Sequence, residues 1–152
     1  MGTIKSVYDK VHFAYRYLPD EIDSIVMRLS TQILDLNRED QLFEGMLNDG
    51  KSLPKYSALT QDITQGMTGK GYPKRKGELF NMYATGALFK SIDAIYTQEQ
   101  LIFKTTDPNH PFIKQRPQLA KKLFGLTKEN QQKLNYELIL PMIRKWVQST
   151  MK

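Results

Sequence analysis

The sequence predicts an α+β fold, with N-terminal helices, a short antiparallel β-hairpin and a long C-terminal helix in a single domain of residues 1–152. Three observations predict it. Apolar residues recur at steps of three and four through the first part of the chain, which is helical spacing. From Leu88 to Thr106 the period changes to two, interrupted by a short polar segment, which is the signature of a hairpin. After Gly125, Thr127 stands as an N-cap before a helical pattern that reaches Gln148. A chain of 152 residues fits one domain, and its 40% hydrophobic and 25% charged content suits a folded protein with a real core.

Taken in order, Ile4, Val7, Val11, Ala14 and Leu18 form one stripe of a first helix, with Thr3 as its cap. Tyr8, Phe13, Tyr15 and Tyr17 cannot share that stripe, so aromatic rings surround the helix. Rings on several sides favour burial against a neighbouring subunit, the alternative being cover from a loop of the same chain. Pro19 interrupts the pattern and Asp20 takes an N-cap position, with Glu21 and Asp23 in the first turn, where the helix dipole favours negative charge. Ile22, Ile25, Val26, Leu29, Ile33 and Leu36 continue this second helix towards Asn37, with further turns through Leu42, Phe43, Met46 and Leu47. Asn48-Asp49-Gly50 is a turn.

From Lys51 to Gly77 the composition changes. Pro54, Pro73, Gly66, Gly69, Gly71 and Gly77 fall here, and Tyr56–Ile63 holds at most a helical turn. Residues 64–77 read as a flexible basic loop in which Lys70, Tyr72, Lys74, Arg75 and Lys76 form a mobile arm. Such an arm has three uses: contact with DNA phosphate, contact with a neighbouring subunit that orders it, or solvation without a partner. Thr85-Gly86 opens the strand region, where glycine permits an unusual backbone angle or a close approach. Ile92, Ala94 and Tyr96 alternate with Asp93, Ile95 and Thr97, Gln98-Glu99-Gln100 reverses the chain, and Leu101, Phe103 and Thr105 alternate with Ile102, Lys104 and Thr106. Pro141 falls inside the last helix and predicts a kink or break near Glu137 to Leu140. Leu134, Leu138, Met142 and Trp146 are its inward residues.

The composition excludes several chemistries. There is no cysteine, so disulfides, thiolate metal sites and cysteine nucleophiles are excluded together, which fits synthesis in a reducing cytosol. No apolar run approaches the ~18 residues that span a bilayer. The N-terminus is charged throughout and carries no secretory signal, although Met1-Gly2 with Ser6 matches the short myristoylation pattern. The two histidines, His12 and His110, have no ligand-type neighbours at helical spacing, and His110 reads as a turn residue. Gly66 to Gly77 resembles a phosphate loop only superficially, because Thr64 holds the place of its first glycine and Gly71 follows Lys70 where Ser or Thr is needed. No serine sits in a nucleophile elbow. The expectation is a chain that is not an enzyme and holds no cofactor or metal. The net charge of +6 suits nucleic acid or an acidic partner, or a surface kept soluble by charge.

Asp49-Gly50, Leu53-Pro54, Tyr56-Ser57-Ala58-Leu59-Thr60, the run Thr85-Gly86-Ala87-Leu88-Phe89-Lys90-Ser91-Ile92, and Leu123-Phe124-Gly125-Leu126-Thr127 occur in that order. In order and spacing they resemble the tail-completion and head–tail joining proteins of tailed phages, the virion morphogenesis or minor tail proteins. The resemblance covers about two thirds of the chain, from Asp49 onwards. Asn109-His110-Pro111-Phe112-Ile113 stands where that family often has a His-Gln-x-Gly step, and Gln118 to Lys122 replaces its Pro-Ala-Arg-Pro. The resemblance implies a structural virion protein, made in the host cytoplasm, that forms or joins a ring at the head–tail junction or upper tail through which DNA passes. It implies a homo-oligomeric ring, adjacent connector, portal or tail proteins as partners, non-specific contact with genomic DNA and no membrane.

The subunit-contact candidates are Thr85, Gly86, Leu88, Ile92, Tyr96, Leu101 and Phe103, with the hairpin edges pairing between subunits. The basic-loop candidates for DNA or a neighbouring subunit are Lys70, Tyr72, Lys74, Arg75 and Lys76. The alternative is a small basic DNA- or RNA-binding accessory protein.

Overall fold

The computed structural model describes residues 4–97 and 100–152, and its architecture is α+β. Helix α1 spans Ile4–Arg28 and α2 spans Ser30–Asn37, followed by a π-helical segment at Arg38–Phe43. Then come α3 at Ala58–Thr64, α4 at Ala87–Ser91, β1 at Ile92–Thr97 and β2 at Gln100–Thr105. Short helices α5, Pro111–Gln115, and α6, Pro117–Ala120, lead to a last rod: α7 at Lys128–Gln132, a π-helical segment at Lys133–Ile139 and α8 at Leu140–Thr150.

Pro19 does not divide the first helix; α1 runs through it. A proline there frees the carbonyl of Tyr15, but Tyr15 is 82% exposed, so water can bond that carbonyl and the interruption is cheap. The divide falls instead at Leu29, where the backbone turns out of the helix and α2 restarts. The expected cap at Thr3 lies outside the described residues, as do Met1-Gly2 and the reversal residues Gln98 and Glu99. In the last rod the backbone is wider over Lys133–Ile139 and returns to α form at Leu140. Pro141 therefore stands in a first turn, where a missing N–H matters least.

The two strands form one antiparallel pair, with Ala94 opposite Phe103 and Tyr96 opposite Leu101. Those four side chains face the body and pack with Ile25, Val26, Leu29, Ile33, Leu36, Leu126 and Leu134. A second cluster contains Leu42, Leu47, Leu53, Met82, Leu88, Phe89, Ile92 and Leu123, and Phe103 packs against both. The strand region starts later than the period-two pattern suggests. Leu88 and Phe89 belong to α4, so Thr85-Gly86 opens a helical turn and not a strand.

The Leu123–Thr127 segment is held by buried side-chain amides. The Nδ2 of Asn37 donates to the carbonyls of Leu123 and Gly125 at 2.9 and 2.7 Å. Gln41 donates to Gly125 at 3.1 Å and accepts from the Thr127 N–H at 2.8 Å. Asn48 reaches the Phe124 carbonyl at 2.7 Å, and Asn130 reaches Leu36 at 2.8 Å. The carbonyls of Leu123, Phe124 and Gly125 and the N–H of Thr127 are thereby satisfied inside the protein. Beside it, the ammonium of Lys122 at 2.9 Å and the N–H of Lys51 hold the Asp49 carboxyl below its usual range.

Candidate functional site

Three regions carry the sequence-derived candidates, and the fold treats each differently. The first is the basic loop together with the Thr85-Gly86 step, which the structure brings together. Tyr83 lies between them. Gly86 has φ +79°, and a Cβ there would sit 2.8 Å from the Tyr83 hydroxyl. Gly71, at φ +77°, lies against the other side of the same residue, where a Cβ would come within 3.1 Å of the ring. Both glycines admit Tyr83 because they have no side chain and because left-handed backbone costs them little. The edges of Phe43 and Phe89 complete the surround, with ring centroids at 5.9 and 5.2 Å. Lys70 places its ammonium 5.2 Å from the centres of both the Phe43 and Tyr83 rings and pairs with Glu39.

Lys74 is not a solvent-facing cation of an arm. It is 5% exposed. Its backbone N–H donates to the Thr64 hydroxyl at 3.2 Å, and its ammonium donates to Asn81 Oδ1 at 2.5 Å and to the Tyr83 carbonyl. The rings of Tyr72 and Tyr56 flank the ammonium at 4.7 and 5.3 Å. The Tyr72–Pro73 bond is cis. Burial lowers the Lys74 pKa from 10.5 to about 8, because a desolvated ammonium is disfavoured. Burial likewise raises that of Tyr56, partly offset by the Asn81 N–H that donates to its oxygen at 3.1 Å. Arg75 and Lys76 remain exposed.

Asn81 organises this region, and no motif in the sequence marks it. Its Oδ1 accepts from Lys74, from the Tyr56 hydroxyl at 2.9 Å and from the Tyr83 N–H at 3.1 Å. The only sequence signal within reach is its place between Phe80 and Met82, a lone polar residue in an apolar run.

The second region is the hairpin. Ile92 is fully packed, and Tyr96, Leu101 and Phe103 face the body, because alternate residues of a strand share a face and that face is the one the helices cover. Leu88 is buried in α4. A partner approaching the outer face meets Ile95 and Ile102, which stand opposite each other across the pair and are 37% and 44% exposed. Among the described residues the sheet has two strands, so each has one edge without a strand partner.

The third region is the first half of α1. It packs antiparallel to α8, with Lys10 donating to the carbonyls of Met151 and Lys152 at 3.2 and 2.9 Å. The half-covered line on α1 is Ser6, Lys10, Ala14 and Leu18, a repeat of four. The apolar stripe lies beside this line and stays in solvent: Ile4 is 91% exposed and Val7 and Val11 about half. Tyr8, Phe13, Tyr15 and Tyr17 are exposed as well, and their ring pairs lie within the helix, Phe13 with Tyr17 and Tyr8 with His12.

Among the described residues no group of His, Asp and Glu is placed to hold a metal, and no helix is long and apolar enough to cross a membrane. His110 caps α5, accepting the Phe112 N–H at 3.3 Å on Nδ1. No family model matches the chain, and no curated protein or solved structure matches it either.

Proposed function

We propose that the chain is a structural virion protein of a tailed phage that forms or joins a ring at the head–tail junction or upper tail, with DNA passing through the ring. The observation that carries this reading is the uncovered first half of α1. Its four aromatic residues, 39% to 82% exposed, present on the order of 400 to 500 Å² of ring surface, and Ile4, Val7 and Val11 add to it. Together these approach the ~800 Å² that each partner buries in a standard protein interface, spread over both flanks of the α8 contact. The occupant this reading assigns is a second copy of the chain. The exposed Ile95–Ile102 pair supplies further surface for lateral contact. Repetition of a +6 charge around a ring builds a positive field suited to DNA or to acidic neighbouring rings. The ordered resemblance to head–tail joining proteins points the same way. The mechanism is assembly of complementary surfaces, with no bond made or broken.

The test is the mass of the purified full-length chain by sedimentation across concentration, with electron microscopy of the same sample. The expected result is a closed, ring-sized oligomer that a Val11→Glu, Tyr15→Glu double variant reduces to a monomer. A monomer at every concentration, binding free DNA with an affinity that falls steeply with salt, replaces this reading with that of a basic DNA-binding accessory protein.

A further inference from the structure

The basic loop and the Phe80–Leu88 segment line a half-open cavity of about 210 Å³. Its walls are largely apolar, with Phe80, Met82, Leu88 and Phe112 among them, and Lys74 lies in the lining beside Tyr56 and Tyr72. The titratable groups that face it are Lys74, Tyr56, Tyr72, Tyr83 and His110, and none is a carboxylate. Lys74 is therefore a buried cation with no anionic partner among the described residues. Buried charges in proteins are normally paired, because an unpaired one keeps most of its desolvation cost. The two oxygens that Lys74 reaches carry only partial charge, and an ammonium has three N–H donors. Among the described residues the third has no oxygen acceptor, only ring faces.

We propose that this cavity is a binding site for a small carboxylate carried on an aromatic or branched aliphatic body, with the carboxylate on Lys74 and the body against Phe80, Met82 and Phe112. One buried cation matches one negative charge; a phosphate dianion needs more donors than the lining offers. The volume limits the body. At 210 Å³ the cavity is smaller than the ~300 Å³ where ordinary small-molecule sites begin, so a single ring or one amino-acid side chain fills it. Such an acid is either a free molecule or the terminal residue of a neighbouring polypeptide. The lowered pKa of Lys74 agrees with an ammonium that lacks a counter-charge.

The site is independent of the ring reading, since binding is measured on the full-length chain in whatever oligomeric state it adopts. Benzoate and its uncharged isostere benzamide are titrated by calorimetry and by thermal shift. Saturable benzoate binding, with benzamide at least tenfold weaker, supports the proposal, as does loss of that preference in Lys74→Met. Ala87→Phe, at the exposed edge of the lining, fills the cavity without touching the lysine and abolishes benzoate binding, which keeps the test open if Lys74→Met fails to fold. A short peptide ending in phenylalanine, with a free carboxylate or an amide, separates the sources: tighter binding of the acid peptide than of benzoate identifies a polypeptide terminus, and the reverse a free acid. Equal binding of benzoate and benzamide, no binding of either, or unchanged benzoate affinity in Ala87→Phe overturns the proposal.

Discussion

Two aromatic-rich regions of the molecule use their rings in opposite ways. Along the first half of α1, Tyr8, Phe13, Tyr15 and Tyr17 stand in solvent with little beyond their helical neighbours to touch. Around the basic loop, Tyr56, Tyr72, Phe80 and Tyr83 gather about Lys70 and Lys74. The contrast shows what allows a tyrosine inside. Tyr56 is buried with its hydroxyl bonded to both the side chain and the N–H of Asn81, and the ring faces receive a cation. The α1 rings sit on a helix along whose first half α8 covers a line of Ser6, Lys10, Ala14 and Leu18 and leaves the rings on both flanks. The rings of one region are finished within the chain, and those of the other stand in solvent.

The strongest challenge to this contrast is to disturb the finished region. Gly86→Ala forces a left-handed backbone on alanine and puts its Cβ against the Tyr83 hydroxyl, so it costs about 3 kcal/mol in chemical denaturation. A loss below ~0.5 kcal/mol means that Tyr83 does not need a glycine at position 86. Lys74→Met removes the ammonium's bond to the Tyr83 carbonyl and one of the three that Asn81 Oδ1 accepts, and costs about 2 kcal/mol, with faster proteolysis within residues 64–77. Unchanged cleavage shows that Lys74 does not fasten the loop.

The pH dependence follows from the same group. The folded pKa of Lys74 is about 8, against 10.5 in the unfolded chain. Between those values the unfolded chain binds the proton and the folded chain does not, so the Lys74 contribution makes stability rise with pH. The gain is on the order of 1 to 2 kcal/mol between pH 8 and 10; above that, Tyr56 opposes it, because its raised pKa keeps it neutral in the folded state while the unfolded phenol ionises. Denaturation midpoints of wild type and Lys74→Met, taken across this range, isolate the slope as the difference between them. The smallest effect belongs to the unfinished region. Val11→Glu changes the stability of the single chain by no more than ~0.5 kcal/mol, because the side chain is already half in water. A loss of several kcal/mol means that α1 is covered by its own chain.

The hairpin shows how far local pattern reaches. Period two predicts the faces of both strands, and the pairing of Ala94 with Phe103 and Tyr96 with Leu101 agrees with it. The same pattern runs too far back, because Leu88 and Phe89 are apolar in either structure, and only packing against Leu42 and Met82 makes them a helical turn. Thr127 is legible as a helix cap and Ser57 as the neighbourhood of a helical turn, and both accept the N–H three residues on. Lys74 is legible as a cation and nothing more. Its surroundings come from Tyr56, Asn81 and Tyr83, whose roles depend on chain segments that meet only after folding.

Local sequence was enough for the α+β class, the Thr127 cap, the strand faces and the absence of thiol chemistry, since each depends on neighbours a few residues away or on composition alone. Which polar groups lie inside was settled by tertiary structure. Asn37, Gln41 and Asn130 bury their amides because carbonyls and N–H groups from 84 to 94 residues away need partners. Lys74 goes in because Asn81, Tyr83 and two rings await it, and the α1 aromatics stay largely out because they lie beside the line that α8 covers. Burial of a polar group is set by whether its partners exist in space, and a sequence read locally does not contain that distance.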